Sequence, residues 1–242
     1  MKLKATVLLS SLVLSGAALA QTATAEPDST LSFNVGAVTD YRYRGISQSR
    51  LKPALQGGAD FAHKSGFYVG TWASTIKWIK DAGGDANVEI DVYGGYKFDA
   101  GAVALDVGVL TYNYPDHKLA VSPNTQEGYI AGTFGPATLK YSHAFSNLFG
   151  FDDSKNSYYV DLSASFDLGS GWSVVPHVGY QKVKNNDPAT YTDYSVTLNK
   201  DFGNGLAASA ALVDTDSNGV YLAPNGRNLG RAGVVLGVKY SF

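Results

Sequence analysis

From Leu31 to the C-terminus apolar residues alternate with polar or small ones in short segments separated by turn residues. The period is two rather than 3.6, which marks strands with one wet and one greasy face. The alternation predicts twelve strands: Leu31–Tyr43, Pro53–His63, Gly66–Ile76, Ala86–Phe98, Ala102–Tyr114, Gln126–Phe134, Ala137–Phe145, Ser157–Asp167, Trp172–Val183, Thr190–Phe202, Gly205–Asp214 and Arg231–Phe242. Short and long breaks alternate between them. Lys64-Ser65, Asp99-Ala100-Gly101, Gly135-Pro136, Leu168–Gly171 and Gly203-Asn204 are tight turns. Arg44–Lys52, Lys77–Asp85, Pro115–Thr125, Ser146–Asn156, Lys184–Ala189 and Thr215–Gly230 are longer and polar. An all-β meander of this kind is the pattern of a transmembrane up-and-down antiparallel β-barrel with short periplasmic turns and longer extracellular loops.

Alternation alone fits a soluble lipocalin-like barrel equally well, because only the direction of the apolar face differs. The aromatic residues separate the two. Phe33, Phe61, Phe67, Phe98, Phe134, Phe166, Phe202 and Phe242, with Trp172, fall on the apolar face at the turn-side strand ends, and Tyr240 shares that face with Phe242. Tyr41, Tyr43, Tyr141, Tyr158, Tyr180 and Tyr194 fall on it at the loop side. Two belts are what a bilayer asks for, since amphipathic rings sit where headgroups meet hydrocarbon. The ending Val238-Lys239-Tyr240-Ser241-Phe242 resembles the C-terminal signal read by the outer-membrane barrel assembly machinery. That machinery and outer-membrane lipids are therefore the expected partners. The last strand is expected to pair with the first, because open edges cannot be left in hydrocarbon.

Composition narrows the chemistry. With no Cys among 242 residues there is no disulfide scaffold and no thiolate metal site, and the four His have no metal-ligand spacing. No cofactor or metal is expected. The 19 Lys+Arg against 21 Asp+Glu form no basic block, which argues against nucleic acid. The N-terminus reads as a signal peptide over 1–20: Lys2 and Lys4, an apolar run from Val7 to Leu14, and small residues at Ala18-Leu19-Ala20. A periplasmic leader is expected over 21–30 and the barrel over 31–242, which places the chain in the bacterial outer membrane.

Parity along each strand sends Asp40, Arg42, Arg44, Asp60, Glu89, Asp91, Lys97, Asp106, Glu127, Lys140, Asp161, Asp167, Asp193, Arg231 and Lys239 to the interior. Such charge suits water and not lipid, where a midplane Lys or Arg costs about 2–4 kcal/mol. The pore-lining candidates are Arg42, Arg44, Glu89, Asp91, Asp106, Lys140, Asp161 and Lys239. Glu89, Asp91, Asp106 and Asp161 outnumber Lys140 near mid-wall, which points to a weak cation preference in a diffusion pore for ions and small hydrophilic solutes. The competing interior is one plugged by its own ion pairs and by Tyr68, Trp72, Tyr93, Tyr112 and Tyr159. A non-conducting structural or adhesive barrel would use its loops, and Thr215–Gly230 could also fold inward as a constriction. A lipid-modifying enzyme would need a His with a Ser or acidic partner; His143 and Ser142 fall on opposite faces, His177 faces inward, and no GxSxG elbow is present. No catalytic residue is expected.

The runs Asp40-Tyr41-Arg42-Tyr43-Arg44-Gly45-Ile46-Ser47-Gln48, Pro53-Ala54-Leu55-Gln56-Gly57-Gly58-Ala59-Asp60, Ser65-Gly66-Phe67-Tyr68-Val69-Gly70-Thr71-Trp72-Ala73-Ser74 and Glu89-Ile90-Asp91-Val92-Tyr93-Gly94-Gly95-Tyr96 resemble the pattern of the TorF family of outer-membrane porins, a conserved hypothetical family of the Gcw_chp type. The resemblance implies an outer-membrane barrel with channel activity. It brings no established substrate or site residue. Arg42 stands where that pattern has an apolar residue.

Overall fold

The computed structural model describes residues 27–217 and 219–242; the expected signal peptide and residues 21–26 of the expected leader lie outside them. The barrel strands are β1 Ser29–Val38, β2 Ala54–His63, β3 Phe67–Thr75, β4 Val88–Ala100, β5 Val103–Asn113, β6 Thr125–Phe134, β7 Ala137–Ala144, β8 Tyr158–Ala164 continued by Phe166–Gly169, β9 Trp172–Lys182, β10 Tyr191–Gly203, β11 Leu206–Thr215 and β12 Gly233–Ser241. Each pairs antiparallel with its sequence neighbour, and β12 pairs with β1 through Val35↔Tyr240 and Ala37↔Val238. The closure is completed beyond the ladder, where Phe33 N donates to Phe242 O at 2.8 Å and Phe242 N to Phe33 O at 3.0 Å. A closed antiparallel barrel of twelve strands leaves no edge unpaired, as the alternating pattern anticipates.

Turn chemistry sets the register at one end. Asn204 and Gly205 both adopt positive φ, at 53° and 82°, as the two-residue hairpin turn favoured by Asn-Gly requires. At the other end the connections are long. Residues 76–87 carry a short helix at Trp78–Asp81, and 183–190 a 3-10 turn at Asp187–Ala189.

The outer surface is apolar. Val35, Val109, Ile130, Leu139, Leu162 and Leu236 are all exposed, as are Phe33, Phe98, Phe134, Phe166, Phe202, Tyr240 and Phe242 at the turn end. Phe61 lies on the same outward parity but is half-buried. Tyr141, Tyr180 and Tyr194 are exposed at the loop end and Tyr158 is half-buried. The inner face holds the buried acids Glu89, Asp91, Asp106, Glu127, Asp161 and Asp193. Apolar outside and charged inside is the inverse of a soluble barrel.

The inner wall is built from tyrosines laid over glycines. Tyr93 covers Gly70 and Tyr68 covers Gly95, while Tyr129 covers Gly108; a Cβ on Gly95 would sit 2.6 Å from the Tyr68 hydroxyl, and one on Gly108 at 2.6 Å from that of Tyr129. The rings lie flat because the neighbouring strand offers no side chain, and their hydroxyls find carboxylates: Tyr93 donates to Asp60 at 2.5 Å and Tyr68 to Asp106 at 2.6 Å. Period-two sequence therefore becomes a smooth aromatic wall with satisfied polar tips.

One expected strand ends early. Thr39 N makes the last contact of the wall with Leu236 O, at 2.9 Å, and the chain then turns into the lumen instead of continuing to Tyr43. The cause is local. Asp40 accepts hydrogen bonds from Ser47 Oγ at 2.5 Å, Ser49 Oγ at 3.1 Å and Arg42 Nε at 2.5 Å, while Arg44 and Gly45 take positive φ of 46° and 78°. These contacts fold Arg42–Tyr43 against Ile46–Ser47 as a small hairpin. Tyr41 and Tyr43, expected in the outer belt, are consequently inside; Tyr41 is buried and donates to Glu89 at 2.6 Å. Arg42 and Arg44 belong to this hairpin and not to the wall.

Candidate functional site

The hairpin tip crosses the barrel. Tyr43 packs edge-on against Tyr112 of β5 and Phe149. Arg44 reaches the far wall, where Nη1 and Nη2 donate to the Glu127 carboxylate at 3.0 and 2.6 Å and Nη1 also donates to Gln181 Oε1 at 2.6 Å. Its guanidinium lies over Tyr159, 4.3 Å from the ring centroid, and over Tyr43 at 4.9 Å. Gly45 is pressed against β10, since a Cβ there would come within 2.8 Å of Asp193 Cβ. Arg42 is turned towards the last loop, donating to the carbonyls of Gly45, Leu229 and Arg231 at 2.8 to 3.1 Å.

The loops close over the hairpin. Ile46 packs with Tyr191, Ala223 and Leu229, and Ser47 N donates to Leu229 O at 3.0 Å. The long last connection, expected as a possible constriction, thus lies on the back of the first loop, and the first loop is what enters the lumen.

Beneath the hairpin lies a cavity of about 350 Å³. Tyr41, Tyr43 and Tyr112 form its upper part with Arg44, and Tyr68, Trp72, Tyr93, Tyr129 and Tyr159 its sides. Lys97, Lys140 and Lys239 reach it, as do Asp60 and Asp91. Lys97 Nζ stands 4.7 Å from the Tyr68 ring centroid and Lys140 Nζ 4.1 Å from that of Tyr129, an attractive placement for an ammonium. Most of the buried acids are occupied elsewhere. Glu127 holds Arg44, Asp106 accepts from Tyr68, Asp161 meets His177 Nε2 at 2.6 Å, and Asp193 accepts from Tyr159 at 2.9 Å. Asp91 differs, because its Oδ1 is buried with no hydrogen-bond partner among the described residues.

The eight pore-lining candidates are therefore sorted by the fold. Arg44, Asp91, Lys140 and Lys239 meet at the cavity with Arg42 at its upper edge, while Glu89, Asp106 and Asp161 are bound into the wall. Asp167 and Arg231 are exposed at the strand ends rather than inside. His143 hydrogen-bonds the Tyr141 hydroxyl at 3.0 Å and Asn156 at 3.2 Å on the outer face, with Ser142 buried on the inner one, so the two do not meet. The inward hairpin escaped the period-two reading because Tyr41, Arg42, Tyr43 and Arg44 keep the alternation of β1. The signal for it was the Arg44-Gly45 turn with Asp40, Ser47 and Ser49 around it.

A sequence model of a bacterial family, described as "Bacterial protein of unknown function (Gcw_chp)", matches residues 22–242. No curated protein matches the sequence. Among solved structures, KdgM porin superposes with a TM-score of 0.59 at 11% identity, over 87% of this chain and 99% of that one. A KdgM porin in complex with disordered oligogalacturonate gives 0.57 at 10% identity, over 88% and 99%. NanC porin gives 0.55 at 14% identity, over 88% and 99%. At these identities the likeness is one of fold, a twelve-stranded porin barrel.

Proposed function

The chain belongs to the Gcw_chp family of bacterial proteins of unknown function, and we propose that it is an outer-membrane channel for passive diffusion of small hydrophilic solutes, with its narrowest point at Arg44. The observation that carries this reading is the inverted barrel: a lipid-ready outer face with aromatic belts around an interior lined by lysines, carboxylates and tyrosine hydroxyls. Buried charge is kept only where it is paired, as Glu127 is with Arg44, or where water reaches it, as at the lysines that face the cavity. The resemblance to TorF porins agrees with this reading, and assembly by the outer-membrane barrel machinery through the strand that ends at Phe242 is proposed with it.

Charge preference follows the charges that face the cavity rather than the charges in the wall. Lys97, Lys140 and Lys239 border the cavity against Asp60 and Asp91, while Arg42 and Arg44 at its upper edge are paired with Asp40 and Glu127. Of the four acids that suggested cation preference, Glu89, Asp106 and Asp161 are engaged by Tyr41, Tyr68 and His177, and Asp91 lines the cavity. A mild preference for anions is the better-supported selectivity.

Proteoliposome swelling tests the channel. Vesicles carrying the folded barrel should swell in small sugars faster than empty vesicles and slow as solute size rises. Swelling at the empty-vesicle rate for every solute would leave the non-conducting structural or adhesive barrel as the reading.

A further inference from the structure

We propose that the cavity beneath the hairpin is a binding site for one small hydroxylated carboxylate, with the size and chemistry of a single sugar-acid ring; this deepens the channel reading and rests on it. The volume sets the size. About 350 Å³ is at the low end for ligand pockets, and the hairpin and its Arg44 clamp narrow the upper side, so the space suits one ring.

The charge comes from the lysines. Lys97 and Lys140 rest on tyrosine faces and make no ion pair among the described residues. An ammonium carries three donors, and an aromatic face satisfies none of them with an oxygen acceptor. A carboxylate entering the cavity would supply that acceptor, in a charge-assisted bond stronger than a neutral one.

A bare anion does not fit the rest of the lining. Asp91 also lines the cavity, with its Oδ1 sealed in the wall without a donor, so the cavity-facing side of this carboxyl is left to accept from a hydroxyl on the solute. The solute must therefore present hydroxyl donors as well as a carboxylate. Trp72 and Tyr93 line the cavity, and their aromatic surface suits the apolar C–H faces of a ring.

Calorimetric titration of the folded barrel in detergent tests this with three sugars of one ring size: D-glucuronate, D-glucose and D-glucosamine. Glucuronate should bind, glucose roughly tenfold more weakly, and glucosamine not measurably. Lys140→Met should weaken glucuronate roughly tenfold and leave glucose unchanged, and Asp91→Leu should weaken both; Lys97→Met serves if Lys140→Met does not give the heat-modifiable gel migration of a folded barrel. Equal binding of the three sugars, binding of none, or wild-type glucuronate affinity in both lysine variants would overturn the proposal. Because the titration needs no current, its failure is distinct from that of the channel reading: swelling without glucuronate binding refutes only the site, and binding without swelling refutes the channel.

Discussion

Replacing Arg44 with alanine removes the guanidinium that ties the inward hairpin to Glu127 and Gln181 on the opposite wall, while Tyr43 keeps its contacts with Tyr112 and Phe149. Three hydrogen bonds are lost, two to Glu127 and one to Gln181, together with the stacking over Tyr159. Glu127 is left with its side chain only 2% exposed and with Tyr112 Oη, at 3.2 Å, as its remaining donor. Breaking a buried pair from one side costs about 3–5 kcal/mol. The barrel ladder does not pass through Arg44, so this cost falls on the hairpin's docking and not on the closed sheet. At about 1.4 kcal/mol per factor of ten, the ratio of docked to undocked hairpin should drop by roughly two to four powers of ten. In planar bilayers the unitary conductance of Arg44→Ala should rise several-fold over wild type, and its anion preference should fall because a guanidinium has left the narrowest point. Adding Glu127→Gln removes the stranded charge, so the double variant should regain part of the lost docking, read as a unitary conductance closer to wild type, and the pairwise cycle measures how much. Unchanged unitary conductance and reversal potential in Arg44→Ala would refute the placement of the constriction at this residue.

Other perturbations reach the wall, the belt and the closure. Leu162, exposed on the outer face of β8 between Leu139 and Val178, should tolerate arginine badly, at about 2–4 kcal/mol if it lies near the bilayer midplane; folding titrations into lipid vesicles would measure it, and a neutral substitution would favour a water-facing exterior. Gly95→Ala places a methyl 2.5 Å from Val107 O and 2.6 Å from the Tyr68 hydroxyl, and overpacking of this kind costs about 1–3 kcal/mol. Its gel-shift melting temperature should fall, and no change would show that the tyrosine can lift away freely. Deleting Phe242 removes the ring stacked on Phe33 at 5.9 Å and the last backbone pair of the closure, so membrane-assembled protein in cells should decline; full assembly would deny the C-terminal strand its proposed role.

The architecture was legible because a strand that faces lipid on one side and water on the other writes its geometry into every second residue. Phe67 on the outward parity correctly sent Trp72 inside, and Phe134 did the same for Glu127 and Tyr129, which are 2% and 7% exposed. What periodicity cannot encode is where a strand leaves the wall. Tyr41 and Tyr43 keep the parity of β1, yet Asp40 gathers Arg42, Ser47 and Ser49 into a turn whose strength lies in side-chain contacts. The charge reading failed to separate wall from cavity for a similar reason. Counting carboxylates by parity gives an acidic interior, but pairing decides which of them face a solute, and pairs such as Asp161 with His177 and Asp106 with Tyr68 join residues far apart in sequence.

That solutes pass through this barrel, past Arg44, is tested most directly by inserting the purified wild-type protein into a planar lipid bilayer under a KCl gradient. Discrete unitary current steps with a small reversal potential of anionic sign are the expected result. A bilayer that takes up folded protein and stays electrically silent would contradict it.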